Sequence, residues 1–244
     1  MFWELIYIVS CLAILPVLIF AIIASIRVTT VINRYHHLQA TTNITAKDLV
    51  ERIALENNLH INLETASDGE GDHYDPHAKT IRLTEKVINS NSISALAIAA
   101  HECGHALQDA RNYLPLRLRN AVIRVNNFSS RLLTPLIIIS FIATLFTAGL
   151  ALETMLWVMF GFCIIYGLTA IISFVTLPTE YNASRLGKQM LISLNIIETK
   201  AEKRGVSKVL RAAANTYVVS FAMSLVYFLR YLSKFMIILA RRRD

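Results

Sequence analysis

Cysteine, proline, glycine and charged residues are all scarce in this sequence, and each shortage excludes a class of structure. Three cysteines, Cys11, Cys103 and Cys163, are too few and too scattered for a disulfide framework. With 5 prolines and 8 glycines, and with no repeat or low-complexity tract, the chain lacks an obvious flexible linker. Charged residues make up 17% of the 244 residues and hydrophobic residues 55%, which is not the composition of an ordinary soluble domain. The composition therefore indicates a membrane protein.

Three uncharged stretches are apolar and long enough to cross a bilayer as helices, because a bilayer core of roughly 30 Å needs about 20 apolar residues. They cover residues 5–26, 132–152 and 154–179. No lysine or arginine precedes Arg27, so the basic start of a cleavable signal peptide is missing. We therefore expect 5–26 to be a permanent anchor and the chain to have three transmembrane helices.

The distribution of basic residues predicts the orientation. All 24 Lys and Arg residues lie outside the three stretches, and most of them fall within 27–131 and 185–211. By the positive-inside rule, the N-terminus lies outside, and 27–131 and the chain from 180 onward are cytoplasmic. The net charge of +7 is spread along the chain, without an arginine-rich block or an aromatic stacking pattern. We therefore expect the cations to meet the anionic headgroups of the lipid bilayer, and we expect no nucleic acid partner.

The C-terminal part allows two interpretations. Residues 212–229 are uncharged and just long enough to cross the bilayer. If they crossed, the basic residues that follow them would lie outside, against the positive-inside rule. We therefore expect a membrane-associated helix and a basic tail over 212–244, with a fourth crossing as the alternative.

Residues 27–131 have the polarity of a soluble module. Thr45 to Asp48 has the pattern of a capping box and predicts a helix that continues to about Asn57. Residues 60–65 and 79–84 alternate as strands around a segment rich in glycine and aspartate. The pattern predicts a helix, a small β-hairpin with a long connection, and then a helix capped by Asn91 or Ser92.

That last helix carries the sequence His-Glu-Cys-Gly-His from His101 to His105. Residues four apart lie on one face of a helix, so both imidazoles point at one place, as two nitrogen ligands of Zn²⁺ would. Glu102 would lie beside the metal, where it can take a proton from an attacking water. Gly104 would leave room for another element to approach closely. The alternative is a chance pair of histidines on the surface of an amphipathic helix.

A catalytic zinc needs a third protein ligand, and no residue is identified as that ligand by its spacing from the motif. The extended pattern with Gly and His three and six residues after His105 fails, because Gln108 and Arg111 occupy those places. A glutamate further along the chain is then the candidate.

Four glutamates follow the motif. Glu153 falls on the predicted outer side, while Glu198 and Glu202 lie in a segment typical of a solvated charged face. Glu180 directly follows the third apolar stretch, and Pro178 predicts that it lies in the first turn of a helix. By position alone it could equally be an acid favoured by the helix dipole.

Three segments together resemble a known family over nearly the whole chain. They are "GDHYDPHAKTIRL", "AAHECGHALQ" and "LPTEYNASR". In this order they resemble the YugP-like family of bacterial membrane zinc metallopeptidases, also called neutral zinc metallopeptidases and distantly similar to the HtpX type. The resemblance implies an integral membrane metalloprotease with Zn²⁺ on His101, His105 and Glu180 and with Glu102 as the catalytic base. Asn182 departs from the family pattern, which usually has Asp there, but an amide can still accept a hydrogen bond from a ligand imidazole.

The "DHYDP" segment could also belong to the site. Its hairpin could offer a strand edge to an extended peptide, and His73 or Tyr74 could donate to the developing oxyanion. The alternative is a turn whose geometry depends on its aspartates and proline, Asp72, Asp75 and Pro76. Asp109 and Arg185 could support the metal ligands or be plain surface residues.

We therefore predict a mainly α integral membrane protein with three transmembrane helices, a C-terminal membrane-associated helix and a cytoplasmic α+β zincin-like catalytic module. The module would cover 27–131, and the segment 180–211 would return the third ligand to the same side. The predicted function is a zinc metalloendopeptidase of the bacterial plasma membrane, which hydrolyses membrane or membrane-proximal proteins at the cytoplasmic face. The alternative is a membrane scaffold or assembly factor with structural or vestigial zinc, for which Cys103 is the nearest extra ligand.

Overall fold

The computed structural model describes residues 2–123 and 151–241, together with the single positions 131, 135, 138 and 142. Its helices are α1 (Phe2–His36), α2 (Ala46–Glu56), α3 (Glu85–Ile88), α4 (Ile93–Ala110), α5 (114–123), α6 (Ala151–Ser193) and α7 (Lys200–Arg241). Its strands are β1 (Asn62–Thr65), β2 (His73–Asp75) and β3 (Thr80–Leu83). The expected mainly α architecture with a small amount of β structure is confirmed.

Three of the described helices are long and apolar enough to cross a membrane, and they are Phe2–His36, Leu156–Ser193 and Lys200–Ala240. The predicted spans 5–26 and 154–179 lie within α1 and α6. The predicted span 132–152 lies, but for a few positions, outside the described residues. Residues 212–229 lie inside α7, which is long and apolar enough for the further crossing that the sequence left as an alternative. These helices identify a membrane protein.

The chain divides into two compact units. The first consists of the described residues within Met1–Ile23, Leu118–Thr176 and Tyr217–Asp244. In this unit, stacked aromatic rings join α6 to α7. The Tyr231 ring stacks on Phe162 at a centroid distance of 4.7 Å and on Tyr166 at 5.1 Å. Such ring pairs add to the free energy of burying apolar surface, so the two helices stabilise each other here.

The second unit, Ala24–Arg117 and Leu177–Thr216, holds a three-stranded sheet in the order β1-β3-β2. β1 runs parallel to β3, and β2 runs antiparallel to it. Our expectation that 60–65 and 79–84 form a hairpin is therefore wrong, and the hairpin is formed by β2 and β3. The connection between β1 and β3 is long enough for a parallel crossover, and its middle supplies the antiparallel partner. Asp75 closes the tight turn, because its Oδ1 accepts hydrogen bonds from the backbone N–H groups of His77 and Ala78.

Two predicted helix starts in the second unit are confirmed. Thr45 and Asp48 form a reciprocal capping box at the start of α2. The Ser92 hydroxyl accepts a hydrogen bond from the Ala95 N–H at 3.2 Å and caps α4. The apolar faces of both helices enter one core with the sheet, where Leu49 and Leu96 are fully buried. This core supports α4, the helix that carries the two motif histidines.

Glu202 does not lie on a solvated face, as its charged neighbours suggested, because it is only 6% exposed. One carboxylate oxygen accepts hydrogen bonds from the Thr41 N–H and hydroxyl, at 2.8 and 2.9 Å. The other accepts from the backbone N–H groups of Glu198 and Thr199 and from the Thr199 hydroxyl. A buried charge is tolerated here because several donors replace its water. Glu202 thereby ties the first turn of α7 to the loop after α1.

Candidate metal centre

α4 presents His101 and His105 on one face, as their spacing predicts. Their ring centroids are 4.7 Å apart, and the side chain of His101 is 15% exposed against 9% for that of His105. The opposite face is buried in the core, where Cys103 is fully buried. Burial raises the pKa of the Cys103 thiol, which opposes formation of a thiolate ligand.

Glu180 reaches the two histidines from α6. Its Oε2 lies 3.1 Å from His101 Nε2 and 3.6 Å from His105 Nε2. One ligand atom from each of the three side chains lies within 4.8 Å of the others, and Cys103 is not part of this cluster. The structure therefore brings together the three residues that the sequence suggested as metal ligands.

The local setting of Glu180 differs from our expectation. α6 runs without a break from Ala151 to Ser193, with Pro178 inside it. Glu180 is consequently in the interior of a long helix and not in a first turn, so the prediction of a helix start at Pro178 is wrong. The helix dipole at an N-terminus therefore does not explain this buried acid, which is 1% exposed.

The Nδ1 atom of each histidine has its own partner. His105 Nδ1 lies 3.0 Å from Gln108 Oε1, and His101 Nδ1 lies 3.1 Å from the Ser184 hydroxyl. Because an amide oxygen can only accept, the proton of neutral His105 belongs on Nδ1, which leaves a lone pair on Nε2. Partners of this kind fix the tautomer and the ring orientation of histidine ligands.

Gln108 also connects α4 to α6. Its amide nitrogen donates hydrogen bonds to the Thr179 carbonyl at 2.8 Å and to Asn182 Oδ1 at 2.9 Å. Asn182 therefore supports a ligand imidazole through Gln108 and not directly. In the sequence, Gln108 serves only to exclude an extended motif, and no pattern indicates a role for Ser184. The position of Gln108 one turn after His105 on the same helix was a signal that could have identified it.

The backbones of α4 and α6 come into contact at two glycines, Gly104 and Gly187. A Cβ added to Gly104 would overlap the carbonyl oxygen of Ala183, and one added to Gly187 would lie 2.6 Å from the carbonyl oxygen of Ala100. The expected role of Gly104 in a close approach is thus confirmed. Because of this approach, the side chains of Glu180 and Gln108 reach from one helix to the other.

Glu102 lies next to the cluster but is not part of it. The residue is 7% exposed, and burial raises the pKa of its carboxyl group to about 7, with a further upward contribution from Glu180. His101 and a backbone hydrogen bond from Tyr74 act in the opposite direction. A carboxyl group that titrates near neutral pH can both accept and release a proton.

The two other predicted site residues lie on β2. The Tyr74 hydroxyl donates a hydrogen bond to Asp109 Oδ2 at 2.8 Å, and Lys79 Nζ contacts the same oxygen at 2.5 Å. Burial and this contact with Asp109 raise the pKa of Tyr74. His73 Nδ1 lies 2.9 Å from the Gly71 carbonyl, and His73 does not belong to the three-residue cluster. The contact of Tyr74 with Glu102 is made by its backbone N–H and not by its hydroxyl. Arg185, the other residue suggested as a support for the ligands, is exposed.

Comparisons with known proteins identify the family of this chain. A family model described as "Putative neutral zinc metallopeptidase" matches residues 10–236. The "Putative membrane protease YugP" of Bacillus subtilis (strain 168) is 35% identical over 214 residues, which cover 87% of this chain and 90% of that protein. No solved structure matches. The chain therefore belongs to the family of neutral zinc metallopeptidases.

Proposed function

We propose that this protein is a membrane-embedded zinc endopeptidase of the gluzincin type, which hydrolyses membrane or membrane-proximal proteins at the cytoplasmic face. One observation carries the proposal. His101 Nε2, His105 Nε2 and Glu180 Oε2 converge, while the neighbouring Glu102 stays out of the cluster.

The donor set fits a catalytic zinc ion. Catalytic zinc takes three protein ligands from histidine and carboxylate and leaves a place for substrate or water. His101, His105 and Glu180 would hold the ion, and the partners on both Nδ1 atoms leave the Nε2 atoms to face it. When bound, zinc supplies a Lewis acid that polarises the peptide carbonyl and acidifies water. A structural or vestigial site has less support. It would need a fourth protein ligand, and Cys103, the nearest candidate, does not belong to the cluster.

Glu102 would move the proton. Its position beside the cluster lets it take a proton from the attacking water and pass that proton to the amine that leaves. A backbone hydrogen bond from Tyr74, the middle residue of β2, favours the carboxylate form of Glu102. This assignment explains why a buried, costly carboxyl group is kept at the centre of an apolar helix.

An extended peptide could bind along β2. β2 pairs with β3 on one side, and no described strand pairs with its other side. Strand addition to such an edge orients a peptide by main-chain hydrogen bonds. β2 packs against α4, the helix that carries the motif. His73 and Tyr74 on this strand remain our candidates for donors to the oxyanion, and Tyr74 would first have to release its hydrogen bond to Asp109.

The membrane setting favours substrates that are themselves in or near the bilayer. Glu180 lies on a helix that is long and apolar enough to span a membrane. The excess of Lys and Arg in 27–131 and 185–211 supports a cytoplasmic site by the positive-inside rule.

The experiment compares membrane proteomes of cells that express the wild type, Glu102→Gln or the exposed control Glu85→Gln at equal levels. We expect membrane-protein fragments with new termini in the wild type and in Glu85→Gln, and their absence in Glu102→Gln. An unchanged fragment pattern in Glu102→Gln would defeat the proposal. A phenotype rescued equally by Glu102→Gln and wild type would favour the scaffold alternative.

A further inference from the structure

A surface groove of about 460 Å³ in the second unit is lined by six cations. They are Lys188 of α6 and Lys200, Lys203, Arg204, Lys208 and Arg211 of α7. Ser207 completes the lining, and the described lining contains no acid. Within the described part of the chain, none of the six forms an ion pair. This cationic groove is therefore a concentration of one sign of charge with which no acid of the described residues forms an ion pair.

The spacing of these cations is unfavourable for an isolated helix. Lys200, Arg204 and Lys208 follow one another at intervals of four residues along α7, and like charges at this interval destabilise a helix. The opposite face of α7 is fixed in the core, where Val206 and Val209 are buried, so the cations cannot turn away from each other. The nearby acid Glu202 is buried and engaged elsewhere, as described above. A bound anion would relieve this repulsion.

The groove lies where α7 changes from polar to apolar sequence. Arg211 is followed directly by the uncharged residues 212–229, whereas Lys188 lies nine residues after the apolar stretch 154–179 of α6. Lys208 precedes Arg211 by three residues, or roughly 5 Å along a helix. The headgroup layer on each side of a bilayer is about 5–7 Å thick. Lys208 and Arg211, at this distance from the apolar segment, lie at the depth of lipid phosphates. The other four cations lie further out, from where they add longer-range attraction.

We propose that the cationic groove binds the phosphate of an anionic phospholipid headgroup. Lys and Arg clusters next to an apolar helix attract anionic lipid at the membrane surface. Nucleic acid fits the groove less well, because its described lining contains no aromatic ring on which a base could stack. Lys188 is on the same helix as Glu180, so lipid bound here would hold the unit that carries the metal ligands against the bilayer. The proposal does not depend on peptidase activity.

The test uses the purified full-length protein in a neutral detergent, with bound molecules counted by native mass spectrometry. The probes are short-chain phosphatidylglycerol, short-chain phosphatidylcholine and inorganic phosphate. We expect phosphatidylglycerol to bind at least about tenfold more tightly than the other two, and to bind more weakly at high salt. The triple variant Lys203→Gln/Arg204→Gln/Lys208→Gln should weaken this binding roughly a hundredfold, at about fivefold for each cation.

The matched control removes three exposed cations outside the groove, in Lys47→Gln/Arg52→Gln/Lys86→Gln. It should bind phosphatidylglycerol as the wild type does. Equal losses in both triple variants, or equally tight binding of inorganic phosphate or of an RNA oligonucleotide at the groove, would overturn the proposal. If the groove variant does not fold, Arg204→Gln and Lys208→Gln alone should each weaken binding about fivefold, and wild-type affinity in both would contradict it.

Discussion

Replacing Gly104 with alanine tests the close contact between α4 and α6 on which the candidate metal centre depends. The new Cβ would overlap the Ala183 carbonyl oxygen and lie 3.0 Å from the carbonyl carbon and the Cα of the same residue. These are backbone atoms, which cannot rotate away as the end of a side chain can. One helix must therefore shift, and Ala183 lies one turn from Glu180 on the same helix.

The sign of the stability change shows whether the two helices touch at Gly104. Glycine to alanine in a helix interior normally stabilises a protein by about 1 kcal/mol. Forcing an extra methyl group into a packed contact costs about 1–3 kcal/mol. We expect the second effect to be larger, so that Gly104→Ala lowers the free energy of unfolding by up to about 2 kcal/mol. Because Glu180 would move with its helix, zinc affinity should also fall at least about tenfold, as it does when ligand support is lost.

Denaturant unfolding in detergent micelles measures the free energy, and competition with a chromophoric chelator measures zinc affinity. The control is Gly71→Ala, where nothing lies within 4 Å of an added Cβ. A Gly104→Ala variant that is more stable than the wild type and binds zinc equally well would show that the two helices do not touch here.

Three further outcomes follow from the same geometry. Gln108→Ala should weaken zinc binding about 10–100-fold in the chelator competition, while exposed Gln189→Ala leaves it unchanged; equal affinity would mean that Gln108 does not orient His105. Glu202→Ala removes the acceptor of the Thr41 and Thr199 N–H groups and should cost about 1–3 kcal/mol in denaturant unfolding, whereas Glu198→Ala should cost little; equal costs would refute the role of the buried carboxylate. Chelator treatment should abolish proteolysis and added zinc should restore it, and activity that persists in metal-free protein would contradict zinc catalysis.

Structural features that depend only on residues close together in the sequence could be predicted. The capping box at Thr45 and the cap at Ser92 are interactions within one helical turn, and the pairing of His101 with His105 needs only helix geometry. Glu180 comes from a different helix, so spacing alone left it as one of several glutamates. The family resemblance, not the pattern of residues, was what identified it.

The wrong strand pairing, the wrong setting of Glu202 and the overlooked partners of the histidines have a common physical origin, because each depends on contacts between distant segments. β1 and β3 are parallel because a long crossover allows either direction, and short-range alternation contains no information about the choice. Glu202 has charged neighbours typical of a solvated helix, but donors from Thr41 replace its water. Gln108 and Ser184 have roles that arise only when α4 and α6 lie side by side.

The central claim is that three side chains hold zinc while Glu102 carries out proton transfer. The most direct measurement is zinc content together with hydrolysis of a protein substrate, both on one purified preparation of Glu102→Gln and one of the wild type. We predict one zinc per chain in both preparations and hydrolysis in the wild type alone. A Glu102→Gln protein that retains wild-type hydrolysis, or that fails to hold zinc while folded, would contradict the account.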